Sequence, residues 1–324
     1  MKAWRVEQIT ESGDMHLADL PTPQPGAGQY LVRVEAAGVN FLDTLMIRGR
    51  YQKKPPLPFT PGVECAGTIL AAGEGCKLAP GRRVLGSVEG GGFAECALMP
   101  ARAALEVPEG MAAAEALTLL GVNYPTSYYA LHDRAGLRAG ETVLVHAAAG
   151  GVGSAAVQLA KAAGARVIAT AGSAEKLEVC RRLGADEALS YAEGDWVEAV
   201  RGLTGGRGVD VIYDPVGGEV GEQSLRVLAW RGRYLVIGFA AGGIPKLPAN
   251  RLLLMNAAAL GVFWGEVLNR EPATAEAVRA ALVSLYRRGA VPPLIGGRYT
   301  LAEAPAALAA LAGRATVGKL VLEP

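Results

Sequence analysis

The segment His146-Ala147-Ala148-Ala149-Gly150-Gly151-Val152-Gly153 follows the apolar run Thr142 to Val145 and passes directly into Ser154 to Lys161, which has helical periodicity. Against G-x-G-x-x-G it reads Ala148-x-Gly150-x-x-Gly153, with alanine at the first glycine. Glycines at a strand-to-helix junction let the backbone approach a pyrophosphate, at a helix N-terminus whose unpaired N–H groups carry partial positive charge. The backbone of Ala149, Gly150, Gly151 and Val152 is therefore the expected cradle for a dinucleotide. A tight turn would also use glycines; the position after the first strand of an alternating run favours the nucleotide.

Cofactor choice is legible about 20 residues further on, where NAD-dependent enzymes place an acidic side chain for the ribose 2′-OH. Here the chain reads Ala169-Thr170-Ala171-Gly172-Ser173-Ala174-Glu175-Lys176, with no carboxylate at the strand end. Gly172 and Ser173 would accept a 2′-phosphate and Lys176 would neutralise it, which favours NADPH over NADH. A solvated surface lysine is the plainer reading of Lys176, and the neighbouring Glu175 could oppose the phosphate.

The elements that must position these residues fall into two textures. Residues 1–118 are rich in Gly, Pro and short alternating runs such as Tyr30 to Glu35, a mainly β pattern. Residues 119–265 alternate strand and helix, with strands at 142–146, 166–170, 187–191, 209–213, 233–237 and 258–263. Apolar strands joined by helices require a parallel sheet covered on both faces, a doubly wound α/β domain. Residues 266–324 hold a helix at 273–288 and a final strand at 318–322, too little for a third domain; they are expected to return to the first, leaving a cleft between the two.

The 324 residues are 51% apolar and 19% charged, with 32 Lys+Arg against 31 Asp+Glu. That balance excludes a disordered chain and gives no electrostatic footprint for nucleic acid or anionic lipid. The longest near-apolar stretch, Leu252 to Gly265, contains Asn256 and falls short of the ~20 residues a membrane span needs. With no export signal at Met1 to Val6, a soluble cytoplasmic protein is expected. Cys65, Cys76, Cys96 and Cys180 show no C-x-x-C pairing, so reduced thiols are expected rather than a zinc site or a disulfide framework.

With these features in hand, the whole chain resembles the medium-chain dehydrogenase/reductase superfamily and, within it, the NADPH:quinone oxidoreductases related to zeta-crystallin. The specific segments are Ala37-Gly38-Val39-Asn40-Phe41-Leu42-Asp43-Thr44 and His146 to Gly153; Pro61 to Gly67, Leu183 to Asp186 and Gly232 to Gly238 are shared more widely. The resemblance implies a Rossmann NADPH-binding domain plus a mainly β GroES-like catalytic domain. Zinc-dependent relatives carry Cys and His where this chain has Asn40 and Val63, and the four-cysteine zinc lobe is missing between Ser87 and Gly92, so no metal is expected.

Hydride transfer without a Lewis acid suits an acceptor that is already electron-poor. Both a quinone and an α,β-unsaturated carbonyl form a conjugated oxyanion that hydrogen bonding can stabilise. NADPH-dependent quinone reduction is the leading expectation, reduction of the C=C bond of enones, enals or enoyl thioesters the second. A non-catalytic NADPH-binding sensor or structural protein is the reading of another class.

By resemblance, Asn40, Tyr51 and Thr126 line the cleft near the nicotinamide, and either the Asn40 amide or the Tyr51 hydroxyl bonds the acceptor oxygen. Some quinone reductases carry a tyrosine shortly after the segment ending Asp43-Thr44, where this chain has Leu45-Met46, a more apolar cleft. The resemblance also implies Tyr191 beside the adenosine ribose, Gly238 and Phe239 along the pyrophosphate and nicotinamide ribose, Phe263 near the carboxamide and Arg314 near the 2′-phosphate. The apolar run Ala257 to Trp264 at the sheet edge suggests pairing with a second copy, a homodimer.

Overall fold

Alternating residues near the N-terminus form strands because successive side chains point to opposite faces of a sheet and one face is covered. The computed structural model describes every residue except Lys53 and Glu89. In chain order, β1 (Lys2–Arg5) and β2 (His16–Asp19) pair antiparallel. They precede β3 (Gln29–Val39), α1 (Phe41–Met46), β4 (Glu64–Ala72), β5 (Arg83–Ser87), β6 (Cys96–Pro100), β7 (Leu105–Glu106) and α2 (Ala113–Leu120).

The alternating region opens with α3 (Asn123–Tyr128) and continues through β8 (Thr142–Val145), α4 (Gly151–Ala162), β9 (Arg166–Ala171), α5 (Ala174–Arg182) and β10 (Glu187–Ser190). It proceeds with α6 (Trp196–Leu203), β11 (Val209–Asp214), α7 (Gly218–Ser224), β12 (Leu228–Val236), α8 (Ala249–Met255), β13 (Ala258–Gly261), α9 (Trp264–Arg270) and α10 (Pro272–Arg287). The tail supplies β14 (Ile295–Thr300), α11 (Ala304–Ala312) and β15 (Lys319–Glu323).

Two compact units result, Met1–Val122 with Ile295–Pro324, and Asn123–Leu294. Their limits differ from the expected breaks after residues 118 and 265. α2 packs on β3, β4 and β5 and so stays with the first unit, while α10 packs on α3 and α9 and so stays with the second. The return to the first unit therefore starts at Ile295, not at residue 266. There β15 inserts between β14 and β3, its Leu320 facing Val39 in antiparallel register.

The first unit carries a seven-stranded sheet, β14-β15-β3-β4-β5-β7, with β6 also paired to β3. Its core is formed by residues such as Tyr30, Val32, Ile69, Phe93, Met99 and Leu320, all nearly or fully buried. The second unit carries six strands in the order β10-β9-β8-β11-β12-β13, every pair parallel. The fold is α/β, a doubly wound Rossmann sheet together with a mainly β GroES-like unit. In an open parallel sheet of this order, ligands bind outside the carboxyl ends of the strands, where β8 and β11 lead their connections to opposite sides.

Candidate active site

The phosphate loop leaves β8 at Val145 and enters α4 through Gly150, its N-cap. The loop is folded back on itself: the Gly150 N–H donates to Ala147 O at 2.9 Å, and Ala147 adopts φ 46°, a strained conformation for a residue with a Cβ. Gly153 is required by close approach, since a Cβ there would lie 2.3 Å from Ala147 O and 2.8 Å from Ala148 Cα, both backbone atoms. The first-turn N–H groups of α4 have no partner four residues back and point out of the helix end.

A buried polar chain props this loop from below. The Ala147 N–H donates to the Tyr191 hydroxyl at 3.1 Å, as does the Thr170 hydroxyl at 2.7 Å. Ser224 gives its proton to Val220 O, so His146 Nε2–H is assigned as donor to Ser224 Oγ at 2.8 Å, leaving Nδ1 to accept from Tyr191 at 3.0 Å. His146 thus stands neutral, edge-on to Trp196, and burial pushes its imidazole down to about 4.

The unfolded chain binds a proton below about 6.5 that folded His146 refuses, so its stabilisation is complete above that pH and is lost as pH falls toward 4. The contribution at stake is about 3 kcal/mol. Asp43, which burial raises to about 7, contributes the opposite slope over the same range. Urea unfolding of wild type and His146→Gln at pH 7.5 and 4.5 separates the two: the stability difference between the proteins is expected to shrink at the lower pH.

At the end of β9, Gly172 is exposed, and a Cβ added to it would meet open space. Ser173 caps α5, its Oγ accepting from the Lys176 N–H at 3.4 Å, which leaves the hydroxyl proton free to point at an anion. Lys176 is half-buried; burial lowers its ammonium and the neighbouring Glu175 opposes that shift. The carboxyl ends of β11 and β12 are clamped together by a residue that sequence reasoning passed over. Asp214 Oδ1 accepts from the N–H groups of Val216 (2.7 Å) and Gly217 (3.0 Å), and Oδ2 accepts from the Tyr234 hydroxyl. Its backbone carbonyl accepts from the Ile237 and Gly238 N–H groups, holding Gly238-Phe239 at the strand end. An acid closing the apolar run Val211-Ile212-Tyr213 was the available signal.

Of the other residues carried over, Tyr191 has its hydroxyl committed to the loop support, which leaves only its ring for an adenosine. Phe263 is 50% exposed and sits just before α9. Thr126 is buried within α3. Arg314 belongs to the first unit, exposed after α11 with φ 55°.

Asn40 is placed where its amide has no spare capacity. Its Nδ2 donates to Glu64 Oε1 at 2.8 Å and toward Gly38 O at 3.3 Å, and its Oδ1 accepts from Lys319 Nζ at 2.5 Å. Lys319 also pairs with Glu64, and both side chains are 1% exposed. Gly38 and Gly121 form the walls of this chamber; a Cβ on either would lie 2.2 Å from a Glu64 carboxylate oxygen. Both amide hydrogens of Asn40 are thus already used within the first unit, whereas the expected role has one of them donated to an acceptor oxygen. Tyr51 is half-buried on the segment after α1 and its hydroxyl makes no protein hydrogen bond among the described residues. No three His, Cys, Asp or Glu side chains are grouped to hold a metal ion among the described residues.

A strand-loop-helix phosphate site on a doubly wound sheet, joined in one chain to a GroES-like unit, defines a medium-chain dehydrogenase/reductase. Family models described as zinc-binding dehydrogenase and alcohol dehydrogenase GroES-like domain match residues 151–282 and 26–109. Quinone oxidoreductase-like protein 2 of Rattus norvegicus is 38% identical over 303 residues, covering 93% of this chain and 86% of that protein. The solved quinone oxidoreductase of Thermus thermophilus, studied also in complex with NADPH, is 39% identical with a TM-score of 0.84 and 100% of both chains covered. Escherichia coli quinone oxidoreductase complexed with NADPH is 28% identical, with a TM-score of 0.92 over 100% of both chains. The chain belongs to the zinc-independent quinone oxidoreductase family of that superfamily.

Proposed function

We propose that this protein is an NADPH-dependent reductase of electron-poor acceptors, with quinones as its substrate class. The observation that carries the reading is the end of β9, where Gly172 and the N-cap hydroxyl of Ser173 stand in place of a carboxylate. The residues fit NADPH. The α4 N-terminus would receive the pyrophosphate at Ala149 to Val152, Ser173 and Lys176 would receive the 2′-phosphate, and Gly238-Phe239, Tyr191 and Phe263 would line the rest of the cofactor.

Bound NADPH supplies a hydride. The chain's own part is to orient the acceptor and answer the charge that develops on its oxygen. In the first unit the Tyr51 hydroxyl would be the donor for that oxygen; in the second, Thr126 would contact the nicotinamide. Leu45 and Met46 make the segment before Tyr51 apolar, compatible with a flat conjugated acceptor and also with an enone.

Initial rates of NADPH oxidation with 1,4-benzoquinone, 1,2-naphthoquinone, crotonaldehyde and an enoyl-CoA test the assignment. The quinones are expected to exceed the others in kcat/KM by at least about tenfold, roughly 1.4 kcal/mol of transition-state discrimination. The reverse ranking assigns the protein to C=C reduction; NADPH bound tightly with no acceptor consumed assigns it to the non-catalytic class.

Pairing of two copies through β13 accounts for the exposed Leu253 and Leu254 of the adjoining α8 and covers an edge strand that would otherwise offer free backbone groups. Sedimentation at twice the chain mass, reduced to one chain mass in Leu254→Asp, is the expected result.

A further inference from the structure

Within the second unit, the C-terminal halves of α4 and α10 and the turn that follows α3 enclose a cavity of about 200 Å³. Leu159 of α4, fully buried, is its floor, and Leu285 of α10 adds a second apolar surface. Ser284 and Arg288, both exposed, stand at its mouth, and the small side chain of Ala281 between them and the floor keeps the space open. The turn after α3 is π-helical over Tyr129–Arg134, with the Ala135 N–H donating to Ala130 O five residues back at 2.9 Å. Such turns are rare and concentrate at functional sites. Here the turn brings His132 against the Tyr128 ring, centroids 4.3 Å apart and planes inclined at 40°.

The polar groups of this lining are unspent. The hydroxyls of Tyr128 and Ser284, the His132 imidazole and the Arg288 guanidinium have no hydrogen-bond or ion-pair partner among the described residues. Burial holds the His132 imidazole below the ordinary histidine range, so it stands neutral and offers one N–H. Both helix ends are closed on themselves: the Ala165 N–H donates to Ala160 O and the Ala290 N–H to Leu285 O, each at 3.0 Å, so these carbonyls are met by the backbone. No acid lines the cavity among the described residues, and Asp133, next to His132 in the chain, is exposed and outside the lining. The cavity therefore presents donors and one cation above an apolar floor, which is complementary to an anion with a flat apolar body.

We propose that this cavity is a binding site for a small aromatic monocarboxylate, its ring over Leu159 beside the Tyr128–His132 pair and its carboxylate held at the mouth by Arg288 and Ser284. A cavity of about 150 Å³ is enough for a benzene ring, so the space here takes a ring and leaves the charged group at the exposed edge. The site is separate from the expected cofactor contacts: about 12 Å of helix lies between Leu159 and Gly151, where α4 begins.

Benzoate is the probe, and the ring-proton signals of the chain's three histidines are the readout, with His132→Gln identifying the one concerned. Benzoate is expected to shift the His132 signal saturably with a Kd of about 1 mM or tighter, and benzamide, of the same shape without the charge, to bind at least about tenfold more weakly. Arg288→Ala, a change at an exposed position, is expected to weaken benzoate by that same factor and to leave benzamide unchanged. Ala281→Leu fills the space and should abolish both shifts. Absence of a saturable His132 shift in wild type, undiminished benzoate affinity in Arg288→Ala, or a shift that persists in Ala281→Leu overturns the proposal. Should Ala281→Leu fail to fold, the benzoate and benzamide titrations of Arg288→Ala decide.

Discussion

Gly172→Asp is expected to lower kcat/KM with NADPH by about 100-fold, roughly 2.7 kcal/mol of transition-state stabilisation, and to raise that with NADH. The structure makes this a test of charge rather than of fit. Gly172 does not use the left-handed conformation that only glycine tolerates well, and a Cβ there meets open space. The new carboxylate would stand at the strand end beside Ser173, where it accepts a hydrogen bond from a ribose 2′-OH and repels a 2′-phosphate. Fluorescence titration with both coenzymes measures the binding part of the change. A preference for NADPH that survives the substitution would sink the assignment of this corner to the 2′-phosphate.

The second large effect concerns the chamber around Glu64. Lys319→Met leaves the Glu64 carboxylate and the Asn40 carbonyl oxygen buried without their cation, and breaking a buried pair from one side costs about 3–5 kcal/mol. For a unit of this size that corresponds to a fall in Tm of about 10 °C, readable by calorimetry. Glu64→Gln should be comparably harmful, since it strands the ammonium instead. The double variant Lys319→Met/Glu64→Gln is expected to lose clearly less than the sum of the two singles, because no uncompensated charge remains. Additive losses, or a Lys319→Met protein that melts with wild type, would mean the pair is not the electrostatic centre of the first unit.

Much of the cofactor side was legible before any coordinates. The six strands of the parallel sheet appear as apolar runs spaced by helical stretches, and the phosphate loop and the absent carboxylate at Gly172 lie within about 30 residues of one another. The catalytic side was less so. Asn40 looked available as a donor because the carboxylate that takes its amide hydrogen, Glu64, lies 24 residues away on β4. Lys319, which donates to the amide oxygen, is contributed by the last strand, and antiparallel pairing of Leu320 with Val39 carries it to Asn40. Asp214 was passed over and the hydroxyl partners of Tyr191 went unseen for the same reason, since those partners lie on neighbouring strands rather than on neighbouring residues.

Linear order therefore specified the elements, the glycine turn between β8 and α4 and the absence of a carboxylate at the end of β9, because hydrophobic period, helix ends and tight turns are short-range properties of the chain. Three-dimensional pairing alone settled which polar groups are spent and which are left over: Asn40 saturated by Glu64 and Lys319, Tyr191 bound into the support of Ala147, and Asp43 and Tyr51 each retaining an unused oxygen. Hydrogen-bond capacity inside a protein is consumed by whichever groups the sheet register brings within about 3 Å. Residues hundreds of positions apart make that choice here.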